Sequence, residues 1–201
     1  MTKRFSFEDP LYHQKVNKPA GFPIFANRES GHRRLTIEAA LPFVLSPPKG
    51  DHIVDALLYP QPAHRLDKPT SGLLLIAKTK EAIVNLSEQF SSRKVKKSYS
   101  AIINGSVENL TSLFVTVNGS EAKEQGAFIE GEEEENSSWF LIENELNEKS
   151  AVTFWRVTNE TQSLKATDNT LSCVDLKLKT GRKHQLRRHM VRSFMLEICD
   201  Q

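Results

Sequence analysis

The 201-residue chain is 38% hydrophobic and 26% charged, which fits one soluble globular domain large enough to bury a single core. No stretch approaches the roughly 20 consecutive apolar residues of a membrane-crossing helix, and the opening MTKRFSFEDP is charged with no apolar signal core behind it, so membrane and secreted classes are excluded and an intracellular protein is expected. The formal charge is +2, and the two cysteines, Cys173 and Cys199, are too far apart for a CxxC metal pair and too few for a disulfide framework.

In chain order, the first strong pattern is the apolar run Gly72 to Ala77, GLLLIA, bounded by Pro69, Thr70 and Ser71; its length and flanks predict a buried central strand. A helix follows, because Thr79 suits an N-cap, Glu81 suits the positive helix start, and Ala82, Ile83, Leu86 and Phe90 fall at helical spacing on one face. Strands are predicted at Ser98 to Ile103 and Leu113 to Val117. The segment 121–149 then holds ten acidic residues against Lys123 and Lys149, and with its EGEEEENSS run at 130–138 it reads as an acidic insertion or surface loop. Strands resume at Ala151 to Val157 and at Leu171 to Leu178, where Val174, Leu176 and Leu178 alternate with Asp175 and Lys177. The spacing of Leu186, Met190, Phe194 and Ile198 predicts a basic helix from about Lys183 to Ile198. Strands succeed one another in the second half without regular helices between them. The predicted class is therefore α+β, a mixed, mostly antiparallel sheet with flanking helices, in one domain over 1–201.

Setting aside the −8 of the acidic segment leaves 25 basic and 15 acidic residues, so the rest of the chain carries +10, a balance found in polyanion binders and also on merely solvated faces. Two polar blocks stand at the ends of predicted elements. His64-Arg65-Leu66-Asp67-Lys68-Pro69-Thr70-Ser71-Gly72 puts a carboxylate on a tight connection before a buried strand, a place where catalytic groups sit, although an Asp before Pro and Thr also caps turns. Lys179-Thr180-Gly181-Arg182-Lys183-His184-Gln185-Leu186-Arg187-Arg188-His189-Met190 ends the last strand and starts the basic helix; residues 177–192 hold seven basic side chains and no acid, suited to phosphates or to a carboxylate partner. His184 and His189 are five apart, with no third ligand, so no metal site is expected.

These blocks, in this order and with others between and before them, resemble the RluA family of pseudouridine synthases. The family's H-R-L-D-x-x-T-S-G is intact at His64 to Gly72, K-x-Y-x-A falls on Lys97, Tyr99 and Ala101, T-G-R-x-H-Q-I/L-R-x-H on Thr180 to His189, and V-N-K-P-x-G on Val16, Asn17, Lys18, Pro19 and Gly21. The resemblance runs from about residue 12 to residue 190, and the doubled arginine of GRKHQLRRHM is similar to the tRNA pseudouridine synthase C branch. It implies the pseudouridine synthase catalytic fold and an isomerase that breaks the N-glycosidic bond of uridine, turns the uracil and rejoins it through C5, without a cofactor. In that chemistry Asp67 is the nucleophile at C1′, Arg187 its ion-pair partner and Tyr99 the residue against the uracil face. A uridine in a stem must be extruded to be reached, so Arg65 is expected near the flipped nucleotide, and Lys18, Arg182, Lys183 and Arg188 are expected on the phosphate backbone. The expected partner is RNA, tRNA favoured and rRNA possible, with the enzyme acting as a monomer.

The chain departs from the family's pattern after the HQLR helix, where relatives continue with G-x-P-I-x-G-D and a further strand and this sequence reads Val191 to Gln201 and stops. The expectation is a catalytic domain lacking its C-terminal part, with no S4-type RNA-binding module ahead of it. The competing reading is an RNA-binding relative that has lost catalysis. A nucleotide-metabolism enzyme would show GxxxxGK[ST] or GxGxxG, and neither occurs.

Overall fold

The computed structural model describes residues 12–26, 35–48, 55–107, 114–118 and 138–194. They form two compact units, one within 1–95 and one within 96–200, each with its own antiparallel sheet. The α+β class and the predominance of antiparallel pairing agree with the sequence reading; the single parallel contact among the described residues is an isolated bridge between Gly105 and Leu171.

The first unit holds β1 (His13–Lys18), α1 (Ile37–Val44), β2 (Ala56–Pro62), β3 (Gly72–Thr79) and α2 (Lys80–Ser91), with sheet order β1-β3-β2. The run GLLLIA takes the central place its composition predicts, because both of its faces are covered. Leu74 and Ile76 pack with Ile24, Leu41 and Leu45 on one side, while Ala77 joins Ala82 and Leu86 of α2 on the other. Thr79 caps α2, its hydroxyl accepting the amide of Ala82 at 3.1 Å, and the Asp55 carboxylate accepts the Glu81 amide at 2.7 Å, placing negative charge at the helix start. The strand β2 carries Pro60 and Pro62, tolerated because it lies at a sheet edge where the missing amides are not needed.

The second unit holds β4 (Ser98–Asn104), β5 (Val115–Asn118), β6 (Ser138–Glu145), β7 (Ser150–Gln162), β8 (Thr170–Leu178) and α3 (Gln185–Phe194), in the order β4-β8-β7-β6-β5. One face of this sheet buries Ile103, Ile142, Trp155, Val174 and Leu176 against Leu186 and Met190, which the four-residue spacing puts on one side of α3. Val117, Trp139, Val152 and Phe154 form a second cluster, and the Arg156 guanidinium lies 4.6 Å from the centre of the Trp139 ring. The acidic segment 121–149 lies outside the described residues up to position 137, but from Ser138 to Glu145 it is strand, not loop: Trp139 and Ile142 are buried in separate clusters on its two faces, and Glu143 and Glu145 at its end stay exposed. Residues 195–198 of the predicted basic helix and Cys199 also lie outside the described residues.

Candidate active site

Asp67 stands on the connection from β2 to β3, and the connection is fixed mainly through its backbone. Ala63 donates its amide to the Leu75 carbonyl at 2.8 Å, and Leu75 donates its own amide to Nε2 of His64 at 3.0 Å. An imidazole that accepts at Nε2 is neutral there, a tautomer assigned from the hydrogen bond. The same ring lies 4.4 Å from the Phe90 ring of α2, so His64 is held from two elements. Leu66 turns inward onto the Leu74 and Ile76 cluster, the Thr70 amide donates to the Asp67 carbonyl at 3.1 Å, and the Gly21 amide donates to the Lys68 carbonyl at 2.9 Å. Gly21 has φ +87°, a left-handed conformation that glycine adopts without strain. The outcome is a half-buried Asp67 carboxyl and an exposed Arg65 on a loop whose backbone is tied at several points.

Lys18 is not placed for a phosphate. It is 0% exposed, and its ammonium donates to the carbonyls of Pro19 at 2.8 Å, Phe22 at 3.0 Å and Lys68 at 3.2 Å. Burial pushes its pKa below the ordinary 10.5, opposed in part by the negative charge of Asp67. The expected backbone contact is thus corrected, because a lysine enclosed by its own chain's carbonyls cannot reach a nucleic-acid phosphate.

In the second unit, Tyr99 sits half-buried in β4 opposite Leu176 and packs on the cluster that contains Trp155 and Met190. The connection from β8 to α3 is closed by side chains. Thr180 accepts the Val152 amide at 2.9 Å and donates to Oε1 of Gln185 at 2.8 Å; that oxygen also accepts the Arg182 amide at 2.9 Å. Nε2 of Gln185 donates to the Val152 carbonyl at 3.0 Å and to the Thr153 hydroxyl at 2.9 Å, so the buried amide uses both ends. His184 adopts φ +53° just before the helix and its carbonyl accepts the Arg188 amide at 2.9 Å.

Arg187 and Lys183 are exposed at the start of α3. Arg182 and Arg188, predicted for phosphates, both hold the β6–β7 turn: Nε of Arg182 donates to the Ser150 carbonyl at 3.0 Å and Nη2 of Arg188 to Oδ1 of Asn147 at 3.1 Å. Asp67 and Arg65 therefore belong to the first unit, and Tyr99, Arg182, Lys183, Arg187 and Arg188 to the second. Sequence reasoning passed over His64 and Gln185 as organisers. Gln185 had a visible signal, since Gln185 and His189 adjoin Leu186 and Met190 at the same four-residue spacing and so share the inward face. His64 had none, its partner lying eleven residues away across a turn. Among the described residues no three His, Cys, Asp or Glu side chains gather as metal ligands, and no helix is long and apolar enough to cross a membrane.

A sequence model described as RNA pseudouridylate synthase matches residues 15–191. The chain is 32% identical over 195 residues to ribosomal large subunit pseudouridine synthase C of Rickettsia bellii, covering 94% of this chain and 54% of that protein. It is 31% identical over 196 residues to tRNA pseudouridine synthase C of Pasteurella multocida, covering 96% of this chain and 71% of that protein. It spans 57% of the length of ribosomal large subunit pseudouridine synthase D of Zymomonas mobilis, so these relatives extend well beyond the matched region. The solved structure of human RNA pseudouridylate synthase domain containing 1 shares the fold, with a TM-score of 0.58 and 24% identity over 93% of this chain and 63% of that one.

Proposed function

Because the chain belongs to the RNA pseudouridylate synthase family, we propose that it isomerises uridine to pseudouridine in structured RNA with Asp67 as the nucleophile. The carboxylate attacks or stabilises C1′ as the C1′–N1 bond breaks, the uracil turns, C5 bonds to C1′ and releases the carboxylate, and the C5 proton is lost while N1 gains one; no electrons enter or leave, so no redox cofactor is called for. In this reading Arg187 is the ion-pair partner of Asp67 and Tyr99 lies against the uracil. The phosphate backbone is held by Lys183, with Arg182 and Arg188 adding positive potential while they brace the neighbouring turn, and Arg65 adjoins the extruded nucleotide.

The observation that supports this reading most is the anchoring of the Asp67 loop. Backbone groups of residues 63, 67, 68 and 70 are all engaged within the first unit, so the loop is ordered before substrate arrives, as a reacting carboxylate requires. The substrate is tRNA in preference to rRNA, supported by the doubled arginine Arg187-Arg188 and by relatives named tRNA pseudouridine synthase C. Incubating the chain with unmodified tRNA and with rRNA, followed by carbodiimide primer-extension mapping, tests both statements. New pseudouridine in tRNA is expected; new sites in rRNA alone would reverse the substrate assignment, and RNA binding without any pseudouridine would favour the inactive-relative reading.

A further inference from the structure

The segment that follows β1 carries two aromatic rings that the core of the first unit does not take up. Phe22 is 47% exposed and Phe25 42%, and they are two of the four exposed Phe, Tyr and Trp side chains among the described residues. Single exposed apolar side chains are ordinary on protein surfaces, so exposure alone assigns them nothing. What sets this pair apart is how its backbone is held and what it stands beside.

The Gly21 amide donates to the Lys68 carbonyl at 2.9 Å, and the carbonyls of Pro23 and Ile24 accept the Ile37 and Glu38 amides at 3.0 and 3.1 Å. Those two amides open α1 and have no partner inside the helix, so the segment and the helix start satisfy each other. Between the two rings, Ile24 is buried with Leu41, Leu74 and Ile76. The carbonyls of Phe22 and Lys68 receive the same Lys18 ammonium, at 3.0 and 3.2 Å, which sets the Phe22 backbone beside the loop of Asp67 and the exposed Arg65. No acidic side chain lies between Tyr12 and Ala26, so the segment itself adds no repulsion against a polyanion.

Extruding a uridine leaves the bases on either side of it short of a stacking partner, and an aromatic face held beside the reacting loop can replace one. On a backbone that is already ordered, such a contact forms at low entropic cost. We propose that Phe22 and Phe25 form a stacking platform for unpaired nucleobases of the RNA, next to the uridine that Asp67 attacks. This rests on the reading of the chain as a pseudouridine synthase, but the stacking contact is measurable by binding alone.

The test compares wild type with Phe22→Leu, Phe22→Trp and the double variant Phe22→Leu/Phe25→Leu in binding to unmodified bulk tRNA over a range of salt, beside single-turnover pseudouridine formation on the same RNA. Leucine keeps an apolar side chain and loses the ring face, whereas tryptophan enlarges the face. The double leucine variant weakens binding by about tenfold or more, Phe22→Leu weakens it less, and Phe22→Trp binds at least as tightly as wild type. The slope of log affinity against log salt keeps its wild-type value in all three, because no phosphate contact is lost. Urea midpoints near that of wild type separate this loss from unfolding, and the single leucine variants carry the comparison if the double variant does not fold. Folded leucine variants that bind as tightly as wild type, or a loss accompanied by a flatter salt slope, would overturn the proposal. Equal weakening by Phe22→Leu and Phe22→Trp would also overturn it, since the position would then be read by shape. Ring-dependent binding by a wild type that forms no pseudouridine would keep the platform and remove the catalytic reading.

Discussion

The two polar loops that carry the family motifs are held in opposite ways. The 64–71 loop is tied through main-chain groups of Asp67, Lys68 and Thr70, and the Lys18 ammonium and the His64 ring add side-chain bonds at its borders. The 179–185 loop is fastened through its own side chains, with Thr180 and Gln185 spending their polar atoms on β7 and on each other. The first arrangement rests largely on the backbone around Asp67; the second makes the loop depend on one buried amide.

That difference orders the effects of substitution. Gln185→Ala should be the most damaging, since it removes the acceptor of the Thr180 hydroxyl and of the Arg182 amide and one of the two donors to the Val152 carbonyl in a largely buried place, and a loss of roughly 2 to 4 kcal/mol in urea unfolding is expected. An effect no larger than that of an exposed substitution would show that the second loop is not held as described. His64→Ala removes one acceptor and one ring contact and should cost about 1 to 3 kcal/mol, with the Leu75 amide losing hydrogen-exchange protection first; unchanged protection there would contradict the bond to Nε2. Thr79→Ala touches neither loop directly and serves as a yardstick for an ordinary N-cap, about 1 kcal/mol by thermal or chemical melting.

The smallest effect concerns pH. The folded pKa of Lys18 lies below 10.5, so between its folded and unfolded values the unfolded chain binds more protons and the Lys18 contribution to stability grows as pH rises. The stability of wild type relative to Lys18→Met should therefore increase as pH rises toward 10.5, other groups cancelling in the difference. A constant difference would place the Lys18 ammonium in a solvated setting.

Legibility from sequence followed the strength of local patterns. The strand β3, the helix α2 with its Thr79 cap, β8 and the core of α3 could be read because apolar spacing and capping chemistry agree there. The strand β1 could not, since its inward residues at both ends are His13 and Lys18 and no apolar alternation marks it. The helix α1 is eight residues long with Pro42 inside it, and β2 carries two prolines, signals that local rules assign to turns and that tertiary packing overrides. In β6 the dense acids around it outweighed the short apolar stretch from Trp139 to Ile142. At the site, the motifs named Asp67, Tyr99 and Arg187, but nothing local reveals that Lys18 turns inward. One of the three carbonyls that receive its ammonium lies 50 positions away.

The central proposal, that Asp67 is the reacting group on an anchored loop, is tested most directly by Asp67→Asn, which keeps the side chain's size and removes its charge. Pseudouridine formation on an unmodified tRNA and RNA binding should be measured on the same protein preparation, with wild type alongside. The account predicts that turnover falls by at least about a thousandfold while the dissociation constant for RNA changes by less than about threefold. Wild-type-like turnover by the Asn variant would contradict it.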